Sequence, residues 1–386
     1  MDMPSYLPLV NWLDGMKINS RHFIDLENSL ISRGYQLFRA VNPGRLYGLL
    51  PDAGHGTDFH MAVIPAAGAS YTIVVQACRA ITAGGALIIV PVRVGNEELR
   101  PGLELVCQLP IEEGERYVML QVHPYHRLPA GQVNTAALPY KTDYVMEEVA
   151  LTVSDRLPDE ENRSSLWEVP LARLVLQQGI WRQDVSYIPP CVRLGAYSQL
   201  LETALHTTMQ LGYIHSCCKL IIQKVYSRQQ SQELGLAMLY IAEHLSAVLV
   251  QYNGWQANIL DTIHPFEWYV SLYRLAAAWC AAIDQRAGHM KEELIQYFSE
   301  WSDVSPGEIE QTFAAATVAK YRHSDMMAAL KPLLAFVELV HKIIQTISQL
   351  EYIGKRPDAN IFVKEERSAG IVYEKQSKKS RWSFSE

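Results

Sequence analysis

The alternation of apolar and polar positions changes its period once along the chain, near Pro189-Pro190. Upstream, residues 71–77, 86–94, 116–123, 144–153 and 171–181 are short runs rich in Val, Ile and Tyr, separated by Gly, Pro and acidic residues. Such runs predict β-strands. Tyr117, Met119 and Gln121 alternate with Val118, Leu120 and Val122, as a half-buried strand requires, whereas residues 86–92 are apolar throughout. That mixture predicts a β-sandwich with one strand covered on both faces. In this half only residues 20–38 read as a helix, with Ser20 as N-cap and Phe23, Leu26, Leu30 and Leu37 as a partial stripe.

Downstream the period is helical. Residues 194–226, 232–252, 267–284, 290–301, 308–319 and 326–350 predict helices, broken by turn chemistry at Asn253-Gly254, His264-Pro265 and Ser305-Pro306-Gly307. Leu236, Leu239, Ile241, Leu245 and Val248 make a stripe wide enough for a bundle helix. Pro332 is expected to shorten or kink the last helix. Stripes this broad, with Trp268 and Trp279 besides, point to more than one packed face and so to self-association. The fold class is therefore α+β and multidomain, with a strand-rich part (1–190), a helical bundle (191–350) and a tail (351–386). In the tail, residues 361–363 and 370–373 could pair as a hairpin, and residues 375–381 are basic and Ser-rich.

The N-terminal arm stands out. Asn11-Trp12-Leu13-Asp14-Gly15-Met16 and then Arg21-His22-Phe23 place large aromatics where chains normally fray. Aromatics are used chiefly to bury area, so the arm packs either on its own domain or on a partner; the sequence leaves both open. Trp12, Arg21 and Phe23 are residue types that anchor interfaces.

Composition narrows the function. With 49% hydrophobic residues the chain can bury sizeable cores. A net charge of −7 gives no electrostatic footprint for nucleic acid. The six cysteines are scattered, without a C-x-x-C pair, and the neighbouring Cys217-Cys218 read as buried thiols in a reducing compartment. The start lacks a basic and apolar leader, and the longest apolar runs, such as residues 86–92, are too short to span a bilayer, so a soluble cytoplasmic protein is expected.

No residue pattern points to catalysis or to a cofactor. His123-Pro124-Tyr125-His126 has the spacing of a ligand pair, but the intervening Pro and the lack of a nearby Cys or Asp favour a loop over a metal site. The glycines around residues 51–56 match neither a phosphate loop nor a dinucleotide fingerprint. Glu147 and Glu148 are adjacent, so on a strand they face opposite ways, and edge exposure is the simpler account. In Tyr321-Arg322-His323-Ser324-Asp325, Ser324 and Asp325 are natural N-caps. No catalytic, cofactor-binding or metal residue is assigned, and no small-molecule substrate is expected.

Four places together resemble the TssK family, the trimeric baseplate subunits of bacterial type VI secretion systems. Trp12-Leu13-Asp14-Gly15-Met16 with His22-Phe23 is similar to the family's N-terminal signature. Tyr187-Ile188-Pro189-Pro190-Cys191 resembles its β-to-helical junction. His264-Pro265 with Tyr269, Leu272 and Leu275 resembles a later helix start, and Tyr321, His323 and Asp325 resemble its "Y-x-H-x-D" motif. The resemblance implies a scaffold. A sandwich shoulder, related to phage receptor-binding proteins, would dock on the TssF–TssG wedge, a helical neck would form the homotrimer, and a head would reach membrane-complex components at the cytoplasmic face of the inner membrane. After Leu350 this chain leaves only a short tail where the family has its head, as a divergent system such as that of Bacteroidetes would accommodate. The phage-type alternative is a receptor-binding or adaptor protein of another contractile injection particle.

Overall fold

The computed structural model describes residues 7–42, 44–51, 59–66, 70–94, 97–100, 102–109, 114–134, 141–159, 163–252, 259–286 and 288–354. The glycine-rich stretch from Asp52, the Asn253-Gly254 turn and the tail from residue 355, with its expected hairpin, lie outside them.

The chain is mixed helix and sheet. Helix α1 (Ser20–Val41) is followed by the strands β1 (Gly48–Leu49), β2 (His60–Pro65), β3 (Ser70–Ile81), β4 (Leu87–Val90), β5 (Val92–Val94), β6 (Glu97–Arg100), β7 (Leu103–Gln108), β8 (Glu115–Asn134), β9 (Lys141–Ser154), β10 (Glu168–Gln177) and β11 (Ile180–Gln183). One antiparallel sheet is organised on β3, whose first part pairs with β2 and β7 and whose second part pairs with β1 and β4. A second runs in the order β11-β10-β8-β9, and β5 and β6 form a short ribbon. Ile73 and Val75 of the first sheet join Val118, Leu120, Leu171 and Leu174 of the second in one buried cluster.

Four expectations in the strand-rich part need correction. The run 86–94 is two strands divided at Pro91, which has no N–H to give a ladder. The run 171–181 is a hairpin, β10–β11, because Gln178 and Gly179 both take positive φ (52° and 77°) and close a two-residue turn. His123 and His126 belong to β8 and not to a loop. The register against β9 shifts between His123 and Arg127, a bulge around Pro124, and His126 Nδ1 lies 2.7 Å from Glu148 Oε2. Glu147 and Glu148 are half-buried on the edge strand β9, not freely exposed.

The helices follow the predicted order: α2 (Ser198–Ser227), α3 (Glu233–Leu249), α4 (Pro265–Asp284), α5 (His289–Ser302), α6 (Pro306–Val318) and α7 (Met326–Gln349). Ser305 and Glu308 form a reciprocal capping box at the start of α6, with Pro306 as its first residue. Pro332 does not shorten α7, which continues to Gln349. Residues 233–252 are long and apolar enough to cross a membrane, contrary to the expectation for this chain. In the fold they pack as a core helix, burying Leu234, Met238, Ile241 and Leu245 between α2 and α4. The buried cluster runs without a break from the sheets through Ile188, Cys191 and Leu194 into these helices.

Candidate functional site: an exposed arm and a motif junction

Two regions collect the residues singled out from the sequence. The first is the N-terminal arm with α1. Gly15 turns the arm with φ +78°, and Met16 N–H donates to Leu13 O at 3.1 Å. Asn19, not Ser20, caps α1. Its side-chain oxygen accepts from the backbone N–H of His22, while His22 Nδ1 accepts from the N–H of Asn19. That reciprocal box is the local reason for His22 at this position. Trp12 packs on His22 and Phe23, each ring centroid 6.2 Å away. Arg21 reaches Asp25 at 3.8 Å on the open surface, and Met16 is half-buried.

The stripe on α1 does not face the core. The helix docks through Ser29 and Ser32, both buried, and through Tyr35, whose ring meets Trp167 edge-on at 5.1 Å. Arg127 of β8 holds it by donating to Glu27 Oε2 at 2.5 Å and Asn28 Oδ1 at 2.6 Å. The apolar side chains point away: Phe23, Leu30, Leu37 and Val41 are 53%, 57%, 69% and 79% exposed. Phe23, Leu30 and Leu37 recur every seven residues, which is one line along a helix. Trp12, Leu13 and Ile18 are exposed beside them.

The second region brings the remaining motifs together at the meeting of sheets and helices. Tyr187 to Cys191 are all buried. Leu49 N–H donates to Pro190 O at 2.7 Å, and Val192 N–H donates to Leu49 O at 2.9 Å. The double proline thus runs beside β1, where Gly48 (φ +108°) makes room that a Cβ would deny, 2.0 Å from Pro190 O. His264 and His323 stack with centroids 5.1 Å apart and planes 18° apart. His264 Nε2 lies 2.9 Å from Arg45 O, and His323 Nε2 lies 2.9 Å from Tyr47 O. A carbonyl can only accept, so both Nε2 atoms carry the proton. Each Nδ1 then accepts, from Phe266 N–H at 3.1 Å in His264 and from the Tyr321 hydroxyl at 2.7 Å in His323.

Both rings are therefore neutral. Burial is the largest cause holding both below the usual histidine range, and it takes His323 down to about 3. Tyr187 O–H closes the junction by donating to Ser324 O at 2.9 Å. Pro265 occupies the first position of α4, and the His264 ring caps that helix. Asp325 precedes α7, but its side chain makes no capping hydrogen bond, so the capping role expected for it is not filled. The arrangement is a structural latch, with every lone pair on the two rings committed to a backbone or tyrosine partner. Among the described residues no three His, Cys, Asp or Glu side chains group as a metal site.

A sequence model of one protein family, described as "Bacterial Type VI secretion, VC_A0110, EvfL, ImpJ, VasE", matches residues 148–349, more than half of the chain. The chain belongs to this family, the TssK-type proteins of bacterial type VI secretion. The match takes in the latch residues from the double proline to Asp325 and lies wholly downstream of the arm and of the β1 side of the latch, Arg45 to Leu49. Comparison with curated proteins returns no match.

Among solved structures, a crystal structure of TssK shares 13% identity, with 86% of this chain covering 68% of that one at a TM-score of 0.50, and so has the same fold. TssK from EAEC bound to a nanobody is similar at 15% identity, 82% and 96% coverage and a TM-score of 0.48. A TssK-TssF-TssG baseplate subcomplex is similar at 15% identity, 88% and 99% coverage and a TM-score of 0.46.

The motif residues of both regions were legible in the sequence. Leu30 and Leu37 were legible as one stripe of α1, but nothing in the sequence said what that stripe faces; only their seven-residue spacing hinted at a separate seam.

Proposed function

We propose that the chain is a structural subunit of a type VI secretion baseplate, without catalytic turnover, working at the cytoplasmic face of the inner membrane. Residues 1–190 act as a β-sandwich shoulder that docks on the TssF–TssG wedge, and residues 191–350 as a helical-bundle neck that joins three copies and links the contractile tail towards the membrane complex. The observation that carries this reading is the unburied apolar surface of the arm and α1, on a chain whose family serves secretion. Contiguous apolar surface of this kind marks a protein contact. Trp12 and Phe23, packed on each other and half exposed, are suited to anchor it.

Helix α2 supports the self-association. From Thr203 to Cys218 it carries no acidic or basic residue apart from His206 and His215. Yet Leu205, Met209 and Tyr213 on this stretch are exposed, with Leu220 beyond. An exposed helix face without Lys, Arg, Asp or Glu fits a second copy better than water.

Expressed with the TssF and TssG of its own gene cluster, the chain should co-purify with both. Light scattering on the free protein should give three times the chain mass, and Met209→Glu with Tyr213→Glu should lower it. Recovery of neither wedge protein, or a monomer at micromolar concentration, contradicts the proposal.

A further inference from the structure

The basic, aromatic end of the chain has no role in the reading above, and one groove in the helical part has its complement. Helices α4, α5 and α6 line an open groove of about 360 Å³. Ile283, Ile295, Phe313 and Ala314 give it an apolar lining; Asp284, Lys291 and Glu310 stand at its rim. Asp284 and Lys291 neutralise each other at 2.7 Å, which leaves Glu310 as the net charge. The surroundings share that sign. Between Asp284 and Glu310 the sequence has seven carboxylates against two cations, Arg286 and Lys291.

The opposite pattern lies at residues 375–384, where Lys375, Lys378, Lys379 and Arg381 lead into Trp382-Ser383-Phe384. A groove of this volume is in the range that takes one large aromatic side chain.

The last described residues lie against the same helix that lines this groove. Gly354 N–H donates to the Tyr297 hydroxyl of α5 at 3.0 Å. Lys224 holds the preceding carbonyls of Ser348 and Leu350, both at 2.7 Å. Ile295 lies two positions from Tyr297, so the groove is on the other side of the same helix, about 10 Å away. The intervening residues 355–374 can reach roughly 65 Å. Tethering at this range makes the encounter intramolecular and raises the effective concentration to about the millimolar level.

We infer that residues 375–384 seat on the α4–α5–α6 groove of their own chain, with Trp382 or Phe384 inserted in it and the basic residues over Glu310. The inference does not depend on the baseplate reading. It is tested in the full-length protein with the photo-crosslinking residue benzoylphenylalanine in place of Trp382. Irradiation should join it within one chain to residues 280–317. Ala314→Arg, an exposed substitution that fills the groove with positive charge, should cut the yield at least fivefold, and raising NaCl from 0.1 M to 1 M should cut it severalfold.

A second measurement is hydrogen exchange. The Trp382→Ser/Phe384→Ser double variant should exchange faster in α5, in α6 and in the last turn of α4, and nowhere else among the helices. Cross-links scattered over other surfaces, cross-links only between two chains, or a yield unchanged by Ala314→Arg would overturn the inference. So would unchanged exchange in α5 and α6.

Discussion

At the scale of single residues, the junction is where one atom decides most. Gly48 combines a positive φ with backbone contact to Pro190, so Gly48→Ala meets both strain and overlap. It should cost at least about 3 kcal/mol, read from urea unfolding. His323→Leu removes the partner of Tyr47 O and of the Tyr321 hydroxyl, both inside the junction. The expected loss is about 2–4 kcal/mol. The histidine also sets a pH dependence. Its folded-state pKa is depressed to about 3 against an ordinary 6.5, so the unfolded chain takes up the proton first as the pH falls. The stability it confers is complete above about pH 6.5 and is lost progressively towards pH 3. His264, shifted in the same direction, adds to that slope. Urea midpoints at pH 7, 5 and 4 should fall less steeply in His323→Leu than in the parent chain.

At the scale of elements, α1 separates what was legible from what was not. Its existence, its length to within three residues and its apolar stripe could be read from the sequence. The direction of the stripe could not, because periodicity reports a face and not what covers it. Here a small polar face (Ser29, Ser32) meets the sheets and the apolar face is left over. Leu30→Ser with Leu37→Ser should therefore shift stability by less than about 1 kcal/mol, against several for two core leucines. Asn19→Ala should fray the first turn, at about 1 kcal/mol, seen as roughly fivefold faster amide exchange there.

The strands show a different limit. Alternation in Leu103, Leu105 and Cys107 was available and would have found β7. By contrast, nothing in Gln178-Gly179 announces two left-handed residues as strongly as Asn-Gly does. Capping chemistry is local, so Ser305, Pro306 and Glu308 carried the start of α6, although residues 305–307 read as a turn and the helix was expected only from 308.

At the scale of the molecule, the double proline marks where strands give way to helices, but the buried core passes straight through it. Three of the four places that resembled family motifs prove to be this crossing point, with positions 187–192, 264–266 and 321–325 drawn together onto residues 45–50. Sequence alone offered no distance between them; only the fold makes them one latch.

The most direct test of the baseplate account is the wedge complex itself. The chain carrying Leu30→Glu and Leu37→Glu should keep the parent's stability and its trimeric mass in light scattering. Its recovery of TssF and TssG should fall at least tenfold. Undiminished recovery of both wedge proteins by this folded, trimeric variant would contradict the claim that the exposed face of α1 is the docking surface.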